Sequence, residues 1–197
     1  MIEIRSVMGP DVGPYLADVA RLRIAVFREW PYLYEGDLDY EHGYLATYAR
    51  SRESLFVLAL DGTRVVGAST GVPLADEVES FRIPFRERGI PETEVFYFGE
   101  SVLLPEFRGH GLGHRFFDAR EASARSLGRF RWTAFCAVNR RDTDPRRPPD
   151  YRPLDSFWQA RGYSRQDAMT VRLRWKEIGQ GADSENQLTV WTRRLAR

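Results

Sequence analysis

The chain has 197 residues, a formal net charge of +1, and 43% hydrophobic against 29% charged residues. These values suit one folded unit with a full-sized core and exclude a disordered chain, which needs fewer apolar residues and a larger net charge. With 29 basic and 28 acidic side chains, the basic excess of a nucleic-acid binder is missing. Residues 1–7 show no apolar signal segment, and no apolar run approaches the roughly 20 residues of a membrane helix. A cytoplasmic protein without membrane or nucleic-acid partners is the expectation. The single cysteine, Cys136, excludes an internal disulfide and a thiolate zinc cluster, so no metal is expected.

Residues 2–7 alternate as a half-buried strand does. Asp11 offers an N-cap, and Leu16, Ala20, Ile24 and Phe27 follow at helical spacing until Pro31. A second helix is predicted over 39–50, carrying Tyr40, Tyr44, Leu45 and Tyr48. The loop between these helices is aromatic and acidic. Residues 55–60 and 64–69 flank Asp61-Gly62, a hairpin signal. Residues 73–89 read as a polar connection with room for one helix. A long strand is predicted over 94–104, ended by Pro105. After a glycine turn, Leu112, Phe116, Ala119, Ser123 and Leu127 mark the buried stripe of a helix closed by Gly128. Residues 132–138 suit a strand covered on both faces. A loop rich in proline and arginine follows at 140–153, then a short helix at 154–161. Two alternating strands, 168–175 and 187–195, complete the chain.

The turn Arg108-Gly109-His110-Gly111-Leu112-Gly113 lies between a strand and a helix. Its backbone amides can converge on one point, where the helix dipole adds positive potential. Missing Cβ atoms let an anion approach the main chain. A P-loop would need Lys-Ser or Lys-Thr here, and a dinucleotide fingerprint would need glycine where His114 stands. By itself the turn reads equally as a tight connection that packs a helix on a sheet.

Residues 103–113, L-L-P-E-F-R-G-H-G-L-G, resemble the acyl-CoA signature of the GNAT superfamily of N-acyltransferases. The element order along the chain is similar to that of GNAT domains. Residues 157–163, F-W-Q-A-R-G-Y, resemble the segment ending the last helix of many members. The resemblance implies a single α/β domain over 1–197, with one mixed, mostly antiparallel central sheet and helices on both faces. It implies acetyl-CoA, or another coenzyme A thioester, as cofactor. Main-chain groups of Ser101, Val102 and Leu103 would pair with the pantetheine arm. Arg108 and the amides of Gly109, His110, Gly111, Leu112, Gly113 and His114 would hold the pyrophosphate. Asn139 is a further candidate contact, or a turn cap, and Trp158 would pack near the cofactor's sulfur end. The strand through Val138 would splay from that through Leu103.

Acyl transfer to an amine needs a neutral nucleophile, a polarised thioester carbonyl and a proton donor for the leaving thiolate. Glu100 is the acidic residue inside the cofactor strand, and acidic groups near this position in GNAT enzymes often bind or deprotonate the acceptor. Its bland alternative is a charge paired with an arginine. Tyr97 occupies another position that often faces the acceptor, and Gly99 between them suggests a bulge, so parity does not say which side chain faces the slot. Many members carry a tyrosine where this chain has Trp158, and Trp158 cannot donate that proton. Tyr151 in the proline-rich loop is the candidate donor, or else a loop anchor. Tyr32, Tyr34, Glu35, Asp37 and Asp39 lie in the loop that the resemblance places beside the acceptor, where aromatic faces beside carboxylates suit a cationic amine; the alternative is a solvated acidic loop with its tyrosines on the core edge. The arginines at 140, 141, 146, 147 and 152 read as a solvated face or as contacts to a 3′-phosphate. Cys136 reads as core.

These features point to transfer of an acetyl or short acyl group to a small-molecule or peptide amine by direct attack in a ternary complex; a homodimer is compatible with it. The alternative is a non-catalytic acyl-CoA-binding, regulatory or protein-interaction domain of the same fold.

Overall fold

The computed structural model describes residues 2–196. Its strands are β1 (Glu3–Met8), β2 (Leu55–Asp61), β3 (Arg64–Pro73), β4 (Val95–Tyr97), β5 (Ser101–Leu103), β6 (Trp132–Val138), β7 (Ser164–Lys176) and β8 (Asp183–Arg194). The helices are α1 (Leu16–Phe27), α2 (Leu38–Arg50), α3 (Glu79–Glu87), α4 (Leu112–Ser126) and α5 (Asp155–Ala160). The strands form one sheet in the order β1-β2-β3-β4-β6-β8-β7, with β5 also paired to β3. Among the described residues only β4 and β6 run parallel; every other pairing is antiparallel.

Local chemistry accounts for most boundaries. Gly62 takes a positive φ of 60° in the β2–β3 turn, and the Asp37 side chain caps α2 by accepting from Tyr40 N at 2.8 Å. Asp11 is not the cap of α1. Two 3₁₀ turns, each with a proline near its start, intervene, and the helix begins at Leu16.

Helices cover both faces. On one, Val19, Leu22, Leu45, Tyr48, Phe81 and Phe85 of α1, α2 and α3 pack with Val95, Tyr97, Val102 and Ala134. On the other, α4 brings Phe116 against β2 and Phe117 and Ala124 against Phe96, Phe98 and Phe135, and Phe157 and Trp158 of α5 join that cluster. The buried stripe of α4 is Leu112, Phe116, Phe117, Arg120, Glu121 and Ala124. Ala119, which sequence spacing places on that stripe, packs half-buried beside Phe116 and Ser123 is also half-buried, while the charged Arg120 and Glu121 are the ones brought fully inward. Likewise Tyr40 is exposed, not part of the α2 core face.

The long strand predicted over 94–104 is broken. Gly99 N donates to Thr70 O at 3.2 Å and Thr70 N donates to Glu100 O at 3.1 Å, so two residues oppose one in a β-bulge. Phe96 and Phe98 face α4, yet Tyr97 and Glu100, three residues apart, both face the α1–α2 side. β4 pairs with both β3 and β6, while β5 pairs with β3 alone, so a slot opens between β5 and the far half of β6.

Gly99 permits this geometry. A Cβ there would lie 2.3 Å from Tyr48 Oη and 2.6 Å from Thr70 Oγ1. Gly99→Ala is expected to destabilise the fold by about 1–3 kcal/mol, the usual cost of overpacking a filled interior. Urea denaturation checks this, and a variant as stable as the parent would show that the bulge tolerates a side chain.

Candidate active site

The glycine turn meets the slot at one end. Gly109 and Gly111 have φ of 79° and 76°, in the left-handed region that L side chains avoid. Gly111 is the N-cap of α4, whose first-turn amides have no intrahelical acceptor. A Cβ on either glycine would meet nothing within 4 Å, so backbone conformation, not crowding, selects glycine. No acidic residue lies in the first turn, and the helix dipole favours an anion there. His110 and His114 are exposed at this end; His114 Nδ1 accepts from Arg161 at 3.2 Å. Gly113 faces Phe157 at ordinary contact distance.

The β5 edge is set by register. Leu104 N bonds Val66 O at 3.0 Å and Thr70 N bonds Glu100 O at 3.1 Å, so the peptide groups of even-numbered residues point to β3. Val102, paired with Ala68, therefore has its main chain committed to the sheet. The expectation that it would serve an added ligand strand is corrected on that ground. The peptide groups of Ser101 and Leu103 face the open edge. Arg108 Nε already bonds Leu103 O at 3.0 Å, and its Nη1 reaches Glu29 at 2.8 Å.

Glu100 is buried beside the slot. Its Oε2 lies 2.5 Å from Arg23 Nη1 as an ion pair, yet neither carboxylate oxygen accepts a well-aligned hydrogen bond from the protein. Burial pushes the Glu100 carboxyl pKa up, and Arg23 opposes that shift. Arg23 also bonds Glu41 and lies over the rings of Phe27, at 5.0 Å, and Tyr44, at 4.4 Å. Burial works against its charge, but Glu100, Tyr44 and Glu41 outweigh it and raise the Arg23 pKa well above the usual value. Tyr44 Oη lies 3.1 Å from Tyr48 Oη, and Tyr48 donates to Glu77. From the opposite face, Arg120 Nη1 bonds Thr70 O at 3.3 Å and Glu100 O at 3.0 Å, which pins the bulge.

Other sequence candidates are distributed unevenly around this centre. Tyr97 is fully buried against Cys136, whose thiol burial pushes up to about 12. Tyr32 packs on Phe27 and Trp175, and burial pushes its phenol pKa up. Tyr34 meets Tyr40 edge-on at 6.4 Å and burial pushes its phenol up, whereas Glu35 stays outside, 3.9 Å from Arg28. Tyr151 meets Trp30 edge-on at 6.1 Å. Asn139 Oδ1 accepts from Thr189 at 2.8 Å, which ties its side chain to β8. Trp158 packs between Phe135 and Trp191 on the α4 face, away from Glu100.

Sequence reasoning missed Arg23, Glu41, Tyr44 and Glu77 as site residues. An arginine in the middle of an apolar helix was the available signal for Arg23. Arg140 and Arg146 are not a solvated face: both bond the buried Glu177. Among the described residues no group of three His, Cys, Asp or Glu side chains is placed to hold a metal, and no helix is long and apolar enough to cross a membrane.

The profile of the acetyltransferase (GNAT) family matches residues 20–143. The Salmonella typhimurium protein yncA, solved with its cofactor acetyl-CoA, superposes with a TM-score of 0.60 at 13% identity, over 100% of this chain and 95% of that one. An N-acetyltransferase from Staphylococcus aureus gives 0.60 at 13% identity, over 100% and 99% of the two chains. The PaiA N-acetyltransferase from Thermoplasma acidophilum, in complex with coenzyme A, gives 0.56 at 12%, over 99% of both. No curated protein matches the sequence.

Glu77 gives the buried polar chain a pH signature. Burial raises its carboxyl to about 7, against opposing hydrogen bonds from Tyr48 and Val78 N. The folded state thus binds this proton more tightly than the unfolded state. The resulting stability is fully present below the ordinary carboxylate range and is lost as pH rises through about 7. Denaturation between pH 5 and 8 is expected to show this loss, on the order of 3 kcal/mol at most, and Glu77→Gln is expected to flatten it. An identical slope in parent and variant would remove Glu77 as the source.

Proposed function

Because the chain belongs to the GNAT acetyltransferase family, we propose that it transfers an acetyl or short acyl group from coenzyme A to an amine by direct attack in a ternary complex. The observation that carries this reading is the free β5 edge, flanked by the glycine turn at one end and buried Glu100 at the other. The cofactor fits these residues: main-chain groups of Ser101 and Leu103 that face away from β3, with Leu103 O held by Arg108, suit a pantetheine arm, and the α4 N-terminus suits a pyrophosphate. When bound, it supplies an activated acyl carbon.

The chain's own residues then divide the work. Amides of residues 109–114 hold the pyrophosphate. Arg108 gives up Leu103 O to the pantetheine and turns its guanidinium towards the phosphates. Asn139 keeps its amide donors for the same arm. Glu100 accepts the amine proton, directly or through water, at a carboxylate whose two oxygens accept no hydrogen bond from the protein. Burial favours its protonated form and Arg23 its charged form, so the carboxylate can both take and release a proton.

Trp158 has no hydroxyl and lies on the opposite face, so it donates no proton to the leaving thiolate. Tyr151 is proposed for that step, and Tyr97 is assigned to shaping the slot wall with Cys136. Tyr32 and Tyr34 border the acceptor, with Glu41 and Glu100 behind them, which favours a cationic amine. Glu35, being outside, is left to attract such an acceptor at longer range. The position of Trp158 supports a second reading, a domain that binds acyl-CoA without turnover.

Glu100→Gln separates the two. The enzyme reading expects acetyl-CoA affinity retained while turnover falls by about 10²–10⁴-fold, the usual share of a general base. A parent protein that binds acetyl-CoA but acetylates no amine would favour the binder. Tyr151→Phe is expected to slow transfer and to change its pH profile; an unchanged rate and profile would remove Tyr151 from the proton path. Polyamines, aminoglycosides and amino acids serve as the acceptor panel, and a clear preference for anionic acceptors would contradict the cationic assignment.

A further inference from the structure

Glu177, the residue after β7, is 3% exposed and binds two guanidinium groups. Its Oε1 accepts from Arg140 Nη1 at 2.7 Å, and its Oε2 from Arg146 Nη1 at 2.5 Å. Both arginines come from the loop that follows β6, one wall of the slot. Arg140 does not stop at Glu177. Its Nε donates to Pro31 O at 2.6 Å and its Nη2 to Tyr32 O at 3.0 Å, and Trp175 Nε1 donates to the same Tyr32 carbonyl at 3.2 Å. Main-chain bonds continue the seam, from Glu35 N to Lys176 O and from Ile178 N to Leu33 O, both 2.8 Å. Three segments distant in sequence are therefore tied at one buried carboxylate.

We propose that Glu177 is a positioning residue for acyl transfer: by fixing Arg140, with Arg146 as its second partner, it fastens the loop at 28–37, holds Tyr32 in place and keeps water from the thioester. The proposal rests on the transfer reading above. Its physical basis is the matching of donors and acceptors. Arg140 makes bonds to two carbonyls and to Glu177, and it is largely buried, so it needs a counter-charge at that place. A neutral amide can offer one acceptor oxygen but neither the charge nor a second oxygen for Arg146. Without the carboxylate the Arg140 side chain is drawn to solvent, and the Pro31 and Tyr32 carbonyls lose their donors. A loop so loosened admits water to a site where closure otherwise excludes it.

The test is Glu177→Gln, with Arg146→Gln as the milder variant because Arg146 is 42% exposed and supplies one link only. Two readouts are taken on the whole chain: amide hydrogen exchange, and hydrolysis of acetyl-CoA with no amine present. The latch expects exchange at Leu33, Tyr34 and Glu35 to rise by about tenfold or more while amides of β2 and α4 change by less than about twofold. Acetyl-CoA Kd should stay within about twofold, since the glycine turn is untouched. Hydrolysis should rise several-fold in Glu177→Gln and less in Arg146→Gln. Exchange that is unchanged, or that rises uniformly through the chain, overturns the latch. Faster loop exchange with unchanged hydrolysis reduces Glu177 to a structural residue and overturns its positioning role. If Glu177→Gln does not fold, Arg140→Gln, which removes the donors to the Pro31 and Tyr32 carbonyls, decides by the same two readouts. If the parent fails to bind acetyl-CoA, the transfer reading falls and the positioning role falls with it, while the exchange result still shows whether Glu177 fastens the loop.

Discussion

Two residues opposing one at Thr70 shape everything that follows in this molecule. Regular alternation along an unbroken strand would send Glu100 to the same face as Phe98, into the aromatic cluster under α4. The bulge turns it instead to the α1–α2 face, where Arg23 waits at 2.5 Å. The same irregularity ends the pairing of this strand with β6, leaving β5 joined to β3 alone. An open edge and a buried carboxylate therefore have one origin. Arg120 holds that origin in place, bonded to the Thr70 and Glu100 carbonyls and stacked on Phe98 and Phe117. Burial lowers its pKa to about 10, so it remains charged at neutral pH.

Charge is arranged differently on the two faces of the bulge. On the α1–α2 side, Glu41, Glu77 and Glu100 are buried around a single guanidinium, that of Arg23. Burial favours a proton on Glu77, and Arg23 serves the other two. Removing Arg23 would strand two carboxylates in the interior, a far larger penalty than the loss of one surface pair. On the α4 side, Glu121 collects Arg125, Arg161 and Arg193 and the Tyr163 hydroxyl. This second cluster packs α4 and α5 on the sheet and does not reach the slot.

The fold was largely legible because its signals are local. Asp61-Gly62 marks a hairpin, and alternate glycines before an amphipathic stretch mark a turn needing positive φ, which Gly109 and Gly111 adopt. The element order also survived, apart from the break at 98–100. Gly99 hinted at that break, but the direction of Glu100 depends on Thr70, 30 residues away, and on Arg120. The remainder of the site was illegible for related reasons. Arg23, Glu41 and Glu77 are charged residues that sequence patterns assign to surfaces, and only tertiary pairing explains their burial. Arg140 and Arg146 looked solvated because their partner, Glu177, follows them by 37 and 31 residues. Trp158 sits in a family-like segment, but its contacts belong to the aromatic core on the other face.

A crystal structure grown with coenzyme A would probe the slot, the turn and the bulge at once. The account expects the pantetheine amides to pair with the main chain of Ser101 and Leu103 and not with Val102. It expects Arg108 to have left the Leu103 carbonyl, the pyrophosphate to rest on amides between Gly109 and His114, and the sulfur to lie on the Glu100 side of the sheet. Coenzyme A bound elsewhere, or a β5 edge still closed by Arg108 with the cofactor in place, would contradict it.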